Sequence, residues 1–195
     1  MFKWILVIII VVVIGLGFYY YNQLNQTMVN AQEAFSNIDA QLERRNDLIP
    51  NLVNTVKGYE QHEERTLTEV TKLRQIQTTL SETQTKLTQA HDLDPATKAQ
   101  LSNQISDSLK SLFAVAENYP DLKANTNFIA LQEELTNTEN KIAFARQEYN
   151  SCVRLYNQML LNIPTNWIAH WRHLTPMAYF KAETPAKQVP QVKFD

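Results

Sequence analysis

The pattern of apolar residues along the chain changes character once. From Trp4 to Tyr21 (WILVIIIVVVIGLGFYYY) there is no charge and almost no polar side chain. At about 1.5 Å per residue, a helix over this run spans most of a hydrocarbon core of about 30 Å. Trp4 at one end and Tyr19, Tyr20 and Tyr21 at the other match the aromatic belts found where a bilayer meets water. The run is too long for the apolar stretch of a signal peptide and no small-residue cleavage site follows, so it reads as an uncleaved anchor. Lys3 and the amino terminus precede it, and the next basic residue is Arg44. That asymmetry favours a cytoplasmic N-terminus and a module on the non-cytoplasmic side.

Beyond Tyr21 the apolar residues become periodic. Leu24, Met28, Ala31, Phe35, Ile38 and Leu42 alternate spacings of four and three, the seam of a bundle helix. Arg45 takes the next seam position. The favoured reading is a guanidinium snorkelling out beside an acidic neighbour; a buried ion pair that fixes register is the alternative. Pro50 interrupts the pattern, and Asp47 is a good N-cap for a helix with Pro50 in its first turn. A turn is therefore expected near Arg45–Ile49, with a kinked continuation as the alternative.

A second helix would carry Leu52, Val56 and Tyr59, then Leu67, Val70, Leu73, Ile76, Leu80 and Leu87. Its Thr- and Gln-rich end, Gln75–Gln89, is expected to be frayed and distal. His91–Pro95 reads as a loop in which Asp94 caps a third helix opening on Pro95. That helix carries Leu101, Ile105, Leu109, Leu112 and Ala116 and stops at Asn118-Tyr119-Pro120, where Asp121 is expected to cap a single turn. Asn125 or Thr126 opens the fourth helix. Its seam runs through Phe128, Leu131, Leu135, Thr138, Ile142, Ala145, Tyr149, Cys152, Tyr156 and Met159, and it ends before Pro164.

The expected fold is all-α: an N-terminal transmembrane helix followed by an up-and-down bundle of four long helices. The divisions are residues 1–22 for the anchor, 23–162 for the bundle and 163–195 for a Trp-rich juxtamembrane segment and extended tail. In such a bundle the fourth helix returns to the bilayer. Trp167 and Trp171 then lie on the membrane surface or against the stem, or else fold back over the bundle end.

Composition agrees. Two of the three glycines, Gly15 and Gly17, lie in the anchor, leaving Gly58 alone outside it, too few for a phosphate-cradling loop. The charge of −2, from 18 basic and 20 acidic residues, gives no footprint for nucleic acid. The single Cys152 excludes an internal disulfide and reads as a small buried apolar residue. His170 and His173 lack further ligands in metal-site spacing, His62 sits among Glu60, Glu63 and Glu64, and no serine occupies a Gly-x-Ser-x-Gly elbow. No catalytic, metal or cofactor residue is assigned.

The blocks NAQEAFSNIDAQLERRNDLIPNLVNTVKGYEQHE (residues 30–63) and AENYPDLKANTNFIALQEELTNTENKIAFARQEYN (residues 116–150) resemble the signature of the LemA family. Tyr156-Asn157, Ile163-Pro164 and Tyr179-Phe180 fit as well. The resemblance implies a membrane-anchored bacterial four-helix bundle and supplies no catalytic residues.

The resulting expectation is a non-enzymatic, single-pass interaction or scaffold protein of the bacterial cell envelope, whose partner is another membrane protein or a second copy. An accessory subunit of a membrane enzyme or protease system, or a lipid-binding membrane organiser, is the alternative. Arg44, Arg45, Asp47 and Asn51 are the candidate partner-docking residues. Trp4, Tyr19, Tyr20, Tyr21, Trp167 and Trp171 are the candidate membrane-interface residues.

Overall fold

The structure, a computed structural model, describes residues 2–60, 67–89 and 93–181. Among these all regular structure is helical: α1 (Phe2–Glu60), α2 (Leu67–Gln89), α3 (Pro95–Ala116), the single turn α4 (Pro120–Lys123), α5 (Thr126–Leu161) and α6 (Thr165–Trp171). His62, Glu63, Glu64, His91, Asp92 and the tail beyond Lys181 lie outside the described residues.

The expected turn at Arg45–Ile49 does not exist. α1 runs unbroken from the apolar span through Pro50 to Glu60. Proline has no N–H, so the carbonyl four residues back, on Asn46, loses its ladder donor. Gln84 Nε2 of α2 donates to that carbonyl at 2.6 Å. A neighbouring helix supplies the missing hydrogen bond, and the residues expected to open a second helix, Leu52 and Val56, instead prolong the buried seam of α1.

α5 lies antiparallel along α1. Thr27 meets Met159 near the span, Arg45 meets Glu139 further out, and Arg44 meets Glu134 beyond that. α2 returns from the far end, with Gln84 at the level of Asn46 one turn before the helix stops, and α3 starts near Asp39, whose carboxylate accepts from Lys98 Nζ at 2.9 Å. Asp94 caps α3 as expected, accepting from Ala96 N and Thr97 N. Asn125 caps α5 by accepting from Phe128 N at 2.9 Å. Tyr119, not Asp121, takes the cap position of α4, and Asp121 sits inside the turn.

Three apolar clusters follow one another along α1. The distal one joins Ile49, Leu52, Val53 and Val56 to Leu73, Leu80 and Leu87 of α2, Ile105, Leu109 and Leu112 of α3, and Phe128 and Leu135 of α5. The Thr/Gln-rich end of α2 is thus not frayed: Gln77, Leu80, Thr83 and Leu87 are buried. The middle cluster packs Ala31, Ala34, Ile38 and Leu42 on Ile142, Ala145, Tyr149 and Val153, closed by Phe180 from the C-terminal segment. The third, nearest the span, joins Leu24, Tyr156 and Ala169.

Candidate functional site

Two arrangements of polar side chains stand out, and both are built on α5. The first surrounds Arg45. This seam position is fully buried, so the guanidinium does not snorkel outward. Its Nη1 donates to Glu139 Oε1 at 2.9 Å and to the Ser102 carbonyl at 3.3 Å. Ser106 Oγ engages the other oxygen, Glu139 Oε2, at 2.6 Å. Sequence periodicity put Arg45 at this position because the seam continues there. It could not show the compensating Glu139, which comes from α5, 94 residues away. Burial lowers the Arg45 pKa, and the Glu139 charge and hydrogen bond oppose that shift. Nε and Nη2 of Arg45 remain buried without a partner.

Arg146, two turns along α5, sits beside this pair. Its Nη2 donates to Asn103 Oδ1 and to the Ala99 carbonyl. Burial and then the Arg45 charge hold its pKa down, with Glu139 opposing. Among the described residues it makes no salt bridge. Ser106, Glu139 and Arg146 line a groove of about 460 Å³ between α3 and α5, whose apolar walls include Leu109, Phe113 and Ile142.

The second arrangement fastens residues 175–180. The dipeptide Tyr-Asn recurs seven residues apart on α5, as Tyr149-Asn150 and Tyr156-Asn157. Each asparagine pairs both ways with the backbone of the extended tail. Asn157 Oδ1 accepts from Met177 N at 2.9 Å and its Nδ2 donates to Met177 O at 3.0 Å. Asn150 Oδ1 accepts from Phe180 N at 2.8 Å and its Nδ2 donates to Phe180 O at 3.3 Å. Tyr149 and Tyr156 donate to the carbonyls of Ala178 and Thr175. Burial raises both phenol pKa values, which keeps them protonated as donors. The register has a simple origin: seven helical residues rise about 10.5 Å and three extended residues advance about 10 Å. The signal was visible as a heptad repeat of Tyr-Asn, but its meaning required the tail.

The candidate docking residues divide. Arg45 is interior. Arg44, Asp47 and Asn51 are exposed on α1, with Arg44 engaging Glu134. Of the aromatic residues, Trp4 and Tyr19 are exposed, and Tyr20 and Tyr21 are half-buried. Trp167 and Trp171 are 68% and 76% exposed, so they do not fold back over the helix ends; Thr165 and Ala169 take the inward face of α6. Leu161 and Ile163 are exposed beside them. Arg172 ties α6 to the top of the apolar span, bonding Asn25 and stacking 4.9 Å from the Tyr21 ring centroid. Cys152 is half-buried, and burial followed by the Glu148 charge raises its pKa, leaving a poor nucleophile. Among the described residues, no three potential metal ligands come together.

The LemA family model matches residues 34–194, from the middle cluster of α1 through the tail. Protein LemA of Metamycoplasma hominis is 26% identical over 184 residues, covering 92% of this chain and 79% of that protein. Magnetosome proteins MamQ 1 and MamQ 2 of Paramagnetospirillum magneticum are each 30% identical over 84 residues. Those matches cover 43% of this chain and only 30% of each magnetosome protein. With the match embracing the helices, the Tyr-Asn repeat and the tail it holds, the chain belongs to the LemA family.

Proposed function

We propose that this protein is a single-pass, membrane-anchored scaffold of the bacterial cell envelope that works by binding rather than catalysis. The observation that carries the reading is the continuity of α1. Its first eighteen-residue apolar window has a mean hydropathy of 2.5 and no buried residue, and the same helix then becomes the spine of the packed region. An apolar surface exposed on every side of a helix needs a lipid or protein cover. A bilayer of ordinary thickness provides it.

In this reading the four long helices form an up-and-down bundle standing on the non-cytoplasmic side, rooted by residues 4–21. Trp167 and Trp171 meet the lipid interface, because Arg172 holds α6 against the end of the span. The partner is another membrane protein or a second copy, docking on the exposed α1 face that carries Arg44, Asp47 and Asn51. The 3,4 spacing of those three residues puts them on one stripe.

A photo-crosslinking residue placed at Asn51 in the full chain, in native membranes, tests this. A discrete adduct from that position, absent when the crosslinker sits at Lys141, is expected. Release of the chain from membranes by alkaline carbonate, or an adduct pattern identical at both positions, would refute the proposal.

A further inference from the structure

The groove between α3 and α5 has a charge imbalance that the scaffold reading does not use. Two guanidinium groups, Arg45 and Arg146, lie next to one carboxylate, Glu139. Arg45 and Ser106 already engage both oxygens of that carboxylate. Arg146 is left with the neutral acceptors Asn103 and Ala99 O, the face of the Phe180 ring 5.0 Å from its guanidinium carbon, and a buried Nε that has no partner. Lys110 and Asp107, which also line the groove, form their own exposed pair at 3.5 Å and leave the balance unchanged. A partly buried cation in low dielectric is stabilised most by an opposite charge brought to it.

We propose that this groove is a binding site for a single carboxylate carried on a small apolar body. The carboxylate pairs with Arg146, and the body lies against Leu109, Phe113 and Ile142. One net positive charge calls for a monoanion, and the apolar walls disfavour a bare, strongly hydrated ion. The volume of about 460 Å³ is in the range of small-molecule pockets and also admits one acidic side chain with its neighbours. The carboxylate can belong to a free organic acid or to an acidic residue of a bound peptide.

The test uses the full chain in lipid nanodiscs, with calorimetry and the Arg146 Nε–H resonance as readouts. The probes are phenylacetate and a blocked Phe-Glu-Phe peptide, with the glutamine counterpart as control. Saturable binding of at least one probe at millimolar concentration or below is expected, with none for the control. Binding of phenylacetate alone identifies a free acid, and binding of the peptide alone identifies a partner side chain.

Asn103→Asp is the decisive variant. It is nearly isosteric and places a carboxylate where Arg146 already donates, without disturbing Glu139 or Phe180. It should raise the Tm and weaken probe binding at least tenfold, whereas Lys110→Gln should change it less than twofold. Four results would each overturn the proposal: no saturable binding of either probe, binding that survives Asn103→Asp, an equal loss in Lys110→Gln, or a lowered Tm in Asn103→Asp.

Discussion

The two ends of the packed region solve the same problem differently. In the distal half, α1 and α5 are joined by α2 and α3, and aliphatic seams from all of them meet in one cluster. In the half next to the apolar span, α2 contributes nothing to the clusters and α3 enters with Ala99 at its start, because the two turn back at the level of Asp39–Asn46. Two helices alone leave an apolar stripe exposed on each. Here the C-terminal segment takes the place of α2 and α3: Phe180 is buried against Phe35 and Tyr149, with Met177 half-buried beside it. An extended chain carries unpaired backbone groups that a helix does not, which is why this side needs Asn150, Asn157, Tyr149 and Tyr156. In the distal core, Gln84 mends the Pro50 gap and Glu139 neutralises Arg45 at its boundary.

The largest expected effect separates the halves at that boundary. Glu139→Ala leaves Arg45 buried without its carboxylate, a change that costs about 3 kcal/mol or more. Replacing both partners together, Arg45→Met with Glu139→Leu, should restore most of the stability, as measured by denaturation of the full chain in micelles. If the single and double variants are equally unstable, the ion pair is not what makes the loss large.

Next comes Phe180→Ala, expected to cost about 3 kcal/mol in the proximal half. Hydrogen exchange should speed up at residues 23–38 and 175–181 and stay slow around Leu52, Leu80 and Leu112. Equal loss of protection in both halves would show that they unfold as one unit and would break the comparison.

Removing one clamp, by Asn150→Ala or Asn157→Ala, deletes two backbone pairings and should cost about 1–2 kcal/mol, read by the same exchange at the tail. Gln84→Ala should cost about 1 kcal/mol by orphaning the Asn46 carbonyl. Pro50→Ala should suppress that cost, because the new N–H at position 50 returns the ladder donor. Additive effects of the two substitutions would contradict the account of how α1 crosses the proline.

The smallest effect lies at the α3 cap. Hydrogen bonds from the Thr97 side chain and then its backbone hold the Asp94 carboxyl below its ordinary range. A depressed folded-state pKa contributes stability that is present above the unfolded value of about 3.9 and lost as pH falls through the lower folded value. Acidification should therefore fray the start of α3, and Asp94→Asn should remove that acid sensitivity while keeping a cap.

What could be read from the sequence follows the range of the forces involved. Seams at four-three spacing and caps such as Asp94 and Asn125 are local, and they lie where the sequence placed them except on α5, where Val153 takes the buried position expected of Cys152 and Cys152 is half-buried. Pro50 misled because its repair comes from Gln84, on another helix. Arg45 misled because snorkelling is the usual fate of a charge on a seam, and only Glu139 makes burial tolerable. The Tyr-Asn repeat was present in the chain, yet helical periodicity reads Tyr149 and Tyr156 as core and says nothing of the asparagine beside each. The exposed indoles of α6 followed from placing that segment beside the span, but sequence alone left open whether they turned inward.

In the proposed arrangement the proximal half rests on the lipid interface while the distal half stands away from it. Trp4→Phe leaves Trp167 and Trp171 as the only tryptophans of the chain. Fluorescence of that variant in nanodiscs whose lipids carry bromine near the headgroup measures the contact directly. The account predicts strong quenching by these lipids and protection from aqueous iodide. Unquenched tryptophans open to iodide would contradict it.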